Sequence, residues 1–233
     1  MLNFSSHSKL VLLTLFTLIV CSFLKAQPDN VSPTFSYLAL GDSYTIGESI
    51  QPEDRWPNQL KNSLDTAGFK INELKIIAET GWRTNEMLRA AKNQLSDTTF
   101  DLVSLLIGVN NEYQGKSPKS FESEFEKCLK YAISKSKHGS KGVFVLSIPD
   151  YGYTPFGEKK QKTISKRIDA YNEICKRISE EYGVAFISIT DISRKVKENE
   201  DLVAHDKLHP SAKQYALWVK RAVDDVAQMI SSF

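Results

Sequence analysis

The residues of this chain able to do nucleophilic chemistry stand in short polar breaks after apolar runs. Tyr37-Leu-Ala-Leu40 leads into Gly41-Asp-Ser43, and Phe100-Asp-Leu-Val-Ser-Leu-Leu-Ile107 leads into Gly108-Val-Asn-Asn111. Far downstream, Asp206 and His209 stand three apart in His205-Asp-Lys-Leu-His-Pro210. A serine hydroxyl becomes a nucleophile when a histidine takes its proton, and a carboxylate behind the histidine fixes its tautomer and steadies the imidazolium. Acyl transfer also needs donors aimed at the developing oxyanion. Asn110 and Gly81, in Glu79-Thr-Gly-Trp82, are candidates for that task. Each residue has an ordinary reading too: Ser43 as a helix cap, Asn110 as a turn residue, Gly81 as a strand terminator. The elements that carry these breaks must decide.

Tyr37 to Leu40 reads as a buried strand closed by Gly41. A helix over Glu53 to Ala67 places Trp56, Leu60 and Leu64 at i, i+4, i+8 and stops at Gly68. Ile71 to Ala78 is the second strand, and the helix after it turns Leu88, Ala91 and Leu95 to one face. Phe100 to Ile107 is apolar enough to be covered on both sides. Ser117-Pro118 caps a helix striped by Phe121, Phe125, Cys128 and Ala132. Gly142 to Ile148 is the fourth strand, with the loop Pro149 to Gly157 behind it. Ile164, Ile168, Tyr171, Cys175, Ile178 and Tyr182 mark a long helix before the fifth strand, Val184 to Ile189. Asp191 to Lys197 reads as a short helix. A last helix starts at Ser211 with Gln214 in capping-box register and faces Tyr215, Val219, Ala222, Val226 and Met229 or Ile230 inward. Strand and helix alternate five times, which requires a parallel sheet with helices on both faces. Short connections and right-handed crossovers favour a flavodoxin-like order with strand 1 between strands 2 and 3. The expected fold class is α/β: one three-layer α/β/α domain over 27–233 with a five-stranded parallel sheet.

In such sheets ligands bind beyond the carboxyl ends of the strands, where every residue of the opening argument falls. Gly81 and Asn110 would flank Ser43 from the two neighbouring strands, while Asp206 and His209 precede the final helix. Gly41-Asp-Ser43, Gly81, Gly108-Val-Asn110 and Asp206-x-x-His209 together resemble the four blocks of the SGNH, or GDSL-like, hydrolase family, in order and over nearly the whole chain after its leader. The resemblance implies ester hydrolysis without a metal or other cofactor. Ser43 would be the nucleophile, His209 the base and Asp206 its orienter. The N–H groups of Ser43 and Gly81, with the Asn110 side chain, would form the oxyanion hole. His205 competes as the base, but the Asp-x-x-His spacing and the Pro210-Ser211 cap match the family at His209. Tyr44 stands in place of the family's leucine, and Asn111 where an aspartate often follows the asparagine.

Composition narrows the partners. The chain has 30 Lys and Arg against 28 Asp and Glu. A basic start at Lys9, the apolar run Leu10 to Leu24 and the small residue Ala26 read as a signal peptide over 1–26. The run falls short of a membrane span of about 20 residues, so no stable span is expected after cleavage, and export to the periplasm or beyond is. Leu18-Ile-Val-Cys21 offers the alternative of a lipoprotein anchored at Cys21. Removing Lys9 and Lys25 leaves 28 basic residues against 28 acidic ones, which argues against nucleic acid as a partner. Cys128 and Cys175 read as small buried apolar residues rather than a bridge. No Gly-x-Ser-x-Gly elbow, phosphate loop, dinucleotide fingerprint or metal-ligand cluster competes. The substrate expected is a small ester or acylated carbohydrate, with a short acyl group such as acetyl. A lysophospholipase or thioesterase on the same residues, or an idle carbohydrate- or envelope-binding module, are the alternatives. Asp150 reads as a turn cap. Trp82, Tyr113, Tyr151, Tyr153 and Phe156 are candidates for lining an acyl or sugar pocket.

Overall fold

The computed structural model describes residues 33–233; the leader and the Cys21 anchor alternative lie outside them. Five parallel strands form one sheet: β1 (Thr34–Gly41), β2 (Lys70–Ala78), β3 (Leu102–Leu106), β4 (Val143–Leu146) and β5 (Ala185–Ile187), in the order β2-β1-β3-β4-β5. The crossover helices are α2 (Trp56–Thr66), α3 (Thr84–Gln94), α5 (Pro118–Ser134) and α6 (Gln161–Glu181), and α8 (Ala212–Ser231) closes the chain. Three single-turn helices, α1 (Ser43–Ile46), α4 (Val109–Tyr113) and α7 (Thr190–Ser193), sit directly after β1, β3 and β5. Helix α2 packs against α8, and α5 packs against both α3 and α6. The result is the three-layer α/β/α arrangement the alternation requires.

All five residues of β3 are buried, as befits a central strand with helices over both faces. Tyr37, read from sequence as one more apolar strand residue, buries its hydroxyl against Ser104 Oγ at 2.8 Å, so β1 and β3 are tied inside the core as well as along their edges. Several strand ends are shorter than their apolar runs. Phe100 lies outside β3 in a lone bridge to Ser136, and Gly139–Gly142 forms a 3-10 turn ahead of β4.

Two helix readings change. Helix α3 buries Thr84, Met87 and Ala91, leaving Leu88 half-buried. At the start of α8, Ser211 Oγ accepts from Gln214 N at 3.3 Å, but the Gln214 side chain does not return to Ser211. It donates to Leu202 O at 2.6 Å, as Ser211 N does at 3.0 Å. Half of the capping box forms, and the other half stitches α8 to the preceding loop.

Candidate active site

Ser43 is the first residue of α1, so its own N–H has no acceptor within the helix. The turn that brings it there has no room for a side chain at position 41. A Cβ on Gly41 would stand 2.1 Å from Thr45 Oγ1 and 2.6 Å from Leu106 O. Asp42 caps α1, its Oδ1 accepting from Tyr44 N at 3.1 Å. Its Oδ2 is buried without a hydrogen-bond partner among the described residues. Burial outweighs the backbone N–H groups of Tyr44, Gly108 and Asp42 itself and pushes the Asp42 carboxyl up from 3.8 to about 7. Tyr44, where the family has leucine, is buried with its ring edge-on to His209 at 5.7 Å between centroids.

Gly81 and Asn110 come from the turns after β2 and β3, the two neighbours of β1. Gly81 holds φ 86, a left-handed conformation open to glycine without strain. Asn110 donates through Nδ2 to Trp82 O at 2.9 Å, so the β3 turn is tied to the residue beside Gly81. Asn111 faces away from this cleft and is fully buried. Its Oδ1 accepts from Thr84 N at 3.1 Å, while Nδ2 donates to Thr84 Oγ1 at 2.8 Å and to Glu124 Oε2 at 2.9 Å. An amide is needed there, because one end accepts and the other donates to a carboxylate.

The loop before α8 brings Asp206 and His209 together, with Nδ1 2.6 Å from Asp206 Oδ2. Leu208 N and His209 N each donate to Asp206 Oδ1 at 2.9 Å, and Ser49 Oγ donates to Oδ2 at 2.6 Å. Partial burial works against ionisation, but the donors from Ser49, from His209 and from the loop backbone prevail and hold this carboxyl well below the usual range. Ser49 has no signal in the sequence: it is a lone serine after Gly47-Glu48, and its partner lies 157 residues away. His205, the rival histidine, is exposed, whereas His209 is buried.

Ser43, Gly81, Asn110 and His209 line one cavity of about 200 Å³, together with Tyr44, Thr80, Val109 and Leu208. Tyr113, Tyr151 and Phe156 form its remaining wall, with ring centroids 6.2–6.3 Å apart. Tyr113 and Phe156 are 60% and 52% exposed, open faces beside an otherwise covered serine. Two other candidates are elsewhere. Tyr153 borders a separate cavity and lies under the Arg194 guanidinium, and Trp82 contributes only its carbonyl, to Asn110. Asp150 caps its turn, accepting from Gly152 N at 2.9 Å, and pairs with Arg194 Nε at 3.0 Å. Cys128 and Cys175 are buried and unbridged. Among the described residues no cluster of three or more His, Cys, Asp or Glu could hold a metal, and no helix is long and apolar enough to cross a membrane.

A family model described as GDSL-like Lipase/Acylhydrolase matches residues 39–217. No match was found among curated proteins. Among solved structures, the chain is similar to a member of the lipolytic G-D-S-L family from Veillonella parvula, with TM-score 0.66, 16% identity, and 82% of this chain and 97% of that one covered. It is similar to a psychrotrophic esterase from Pseudoalteromonas sp., with TM-score 0.64, 18% identity and coverages of 84% and 98%. It is also similar to an acetylxylan esterase from Geobacillus stearothermophilus, with TM-score 0.65, 16% identity and coverages of 82% and 94%. At such identities the structural likeness speaks for the fold, and the family model for the family. The chain belongs to the GDSL-like lipase/acylhydrolase family and is an enzyme that hydrolyses esters.

Proposed function

We propose that the protein is a serine esterase that removes short acyl groups, acetyl above all, through an acyl-enzyme intermediate. The observation that carries the reading is His209, joined to Asp206 at 2.6 Å and lining with Ser43 one small cavity that Gly81 and Asn110 also line. His209 takes the proton of Ser43 through Nε2 as the hydroxyl oxygen attacks the ester carbonyl. Asp206 keeps the other ring nitrogen protonated and balances the imidazolium. The N–H groups of Ser43 and Gly81 and the Asn110 side chain stabilise the oxyanion. As the tetrahedral intermediate collapses, the imidazolium returns its proton to the departing alkoxide. A water molecule, deprotonated in turn by His209, then releases the acid and restores Ser43.

The cavity supports a short acyl group. A volume of about 200 Å³ suits acetyl to butyryl better than a fatty chain, and open aromatic faces such as Tyr113 and Phe156 suit the apolar face of a sugar ring. The likeness in fold to an acetylxylan esterase points the same way. An exported enzyme would meet acetylated polysaccharides outside the cell, and the leader read at 1–26 is consistent with that setting.

The test is kcat/KM over p-nitrophenyl acetate, butyrate, octanoate and palmitate, beside release of acetate from acetylated xylan. Preference should fall with chain length. A rise toward palmitate would replace this reading with a lysophospholipase or thioesterase. Ser43→Ala and His209→Gln should remain folded and lose nearly all turnover, and His205→Gln should keep it. A fluorophosphonate that labels another serine would overturn the assignment of the nucleophile.

A further inference from the structure

The turn between α1 and α2 reaches both flanks of the site. Gly47 closes α1 at φ 71, and two residues later Ser49 also lies in the left-handed region, at φ 68. Glycine or asparagine would adopt that conformation with less strain. What serine adds there is a hydroxyl, and it is fully engaged: Ser49 Oγ donates to Asp206 Oδ2 at 2.6 Å, the same oxygen that meets His209 Nδ1 at 2.6 Å. Asp206 Oδ1 is held by the N–H groups of Leu208 and His209, within its own loop. Among the described residues, Ser49 is the only donor to this carboxylate from outside that loop. From the same turn Glu48 accepts the hydroxyl of Thr80, the residue before Gly81.

We infer that Ser49 is a positioning residue for hydrolysis, fixing through its hydroxyl the way the Asp206 carboxylate faces His209. Without it the loop keeps its backbone tie to Phe156 N and the Tyr44 ring beside His209, but no side chain among the described residues outside the loop holds the Asp206 carboxylate itself, and the imidazole loses its register against Ser43, which α1 carries. A hydroxyl at this place also shares the negative charge of Oδ2 with the imidazole without displacing it, since a carboxylate oxygen has two lone pairs. The inference rests on the reading of Ser43, His209 and Asp206 as nucleophile, base and orienter.

Ser49→Gly separates hydroxyl from backbone, because glycine keeps the left-handed conformation and removes only the side chain. With p-nitrophenyl acetate, kcat should fall about tenfold, roughly the worth of one strong hydrogen bond in the barrier. KM should stay within about twofold, and the melting temperature should move by only a few degrees, since relief of the left-handed strain offsets part of the lost hydrogen bond. Ser49→Ala should show the same loss of kcat. In an Asp206→Ala background, adding Ser49→Gly should change residual kcat by less than about twofold, since the hydroxyl acts through Asp206. Native kcat in Ser49→Gly, with Asp206→Ala crippled, would end this inference and leave the triad reading intact. A tenfold loss that persists in the Asp206→Ala background would show that Ser49 acts elsewhere. Native activity in Asp206→Ala would remove both readings together.

Discussion

Asn110 has two side-chain N–H groups, and the link to Trp82 O occupies one. The other is the one that the proposed oxyanion would use. Asn110→Ala removes that donor and releases Trp82, so kcat on p-nitrophenyl acetate should fall by about 10²–10³-fold, with KM changed less. An unchanged kcat would reduce Asn110 to a turn residue. Asp42 sets a second expectation. Its carboxyl titrates near 7 in the folded protein against 3.8 ordinarily, so the native state holds the proton more tightly. Stability therefore declines as pH rises from about 4 to 7, and the penalty is complete above that window. Asp42→Asn keeps an acceptor for Tyr44 N and has no charge to bury. The native melting temperature should drop from pH 5 to pH 8 by more than that of Asp42→Asn; parallel curves would show that Asp42 ionises freely. At this scale the placement of Ser43 and His209 in one cleft, with Asp206 against the histidine, was legible from their spacing and from the apolar runs that end before them. Ser49 was not, because neither a positive φ nor a contact across 157 residues leaves a local pattern. Glu124 escaped notice for a different reason: its tie to Asn111 joins two helices, and the stripe of α5 marks its buried face and not its polar partners.

The elements hold the site through tight turns at the carboxyl end of the sheet. Gly108 takes φ 132, and a Cβ there would lie 2.7 Å from the Phe121 ring and 2.9 Å from Ile148 Cδ1. Gly108→Ala should destabilise the fold by roughly 2–4 kcal/mol through strain and overpacking combined. It should also lower activity, since Asn110 follows two residues later; denaturant unfolding beside kcat checks both. Asn111 joins α4 to α3 and α5, and Asn111→Asp would set a carboxylate against Glu124. That change should cost about 1–3 kcal/mol at pH 7 and less at pH 5, where one of the pair can hold a proton. Equal stability at pH 7 would mean that Glu124 swings clear. The alternation of elements and the sheet order were readable from apolar periodicity and connection length. Exact strand ends were not, since periodicity marks what is buried and not what is paired: Phe100 is buried but only bridges to Ser136. Trp218 was likewise missed on α8, where the Tyr215–Val219 stripe drew the inward face too narrowly. The side chain is fully buried and meets Tyr44 and Tyr215 edge-on.

Across the whole molecule, the candidate site depends on pairing the first crossover with the terminal helix and the loop before it. Helix α8 packs on α2, Tyr215 donates to Tyr44 O at 2.9 Å across 171 residues, and Ser49 meets Asp206 across 157. Contacts of such separation are slow to close. On refolding from denaturant, hydrolysis of p-nitrophenyl acetate should return no sooner than the emission change that reports burial of Trp218, followed with Trp56 and Trp82 replaced by Phe. Activity that returned first would mean the histidine finds the serine before α8 docks. The Tyr215–Tyr44 tie has a consequence for a chain still on the ribosome. Ser43 is made early and Asp206 and His209 late, so with the roles proposed for them a nascent chain carries the serine for most of its synthesis before its base exists. On those proposed roles, hydrolysis waits on the order in which the chain is made, and it is the docking of the last helix that completes the site.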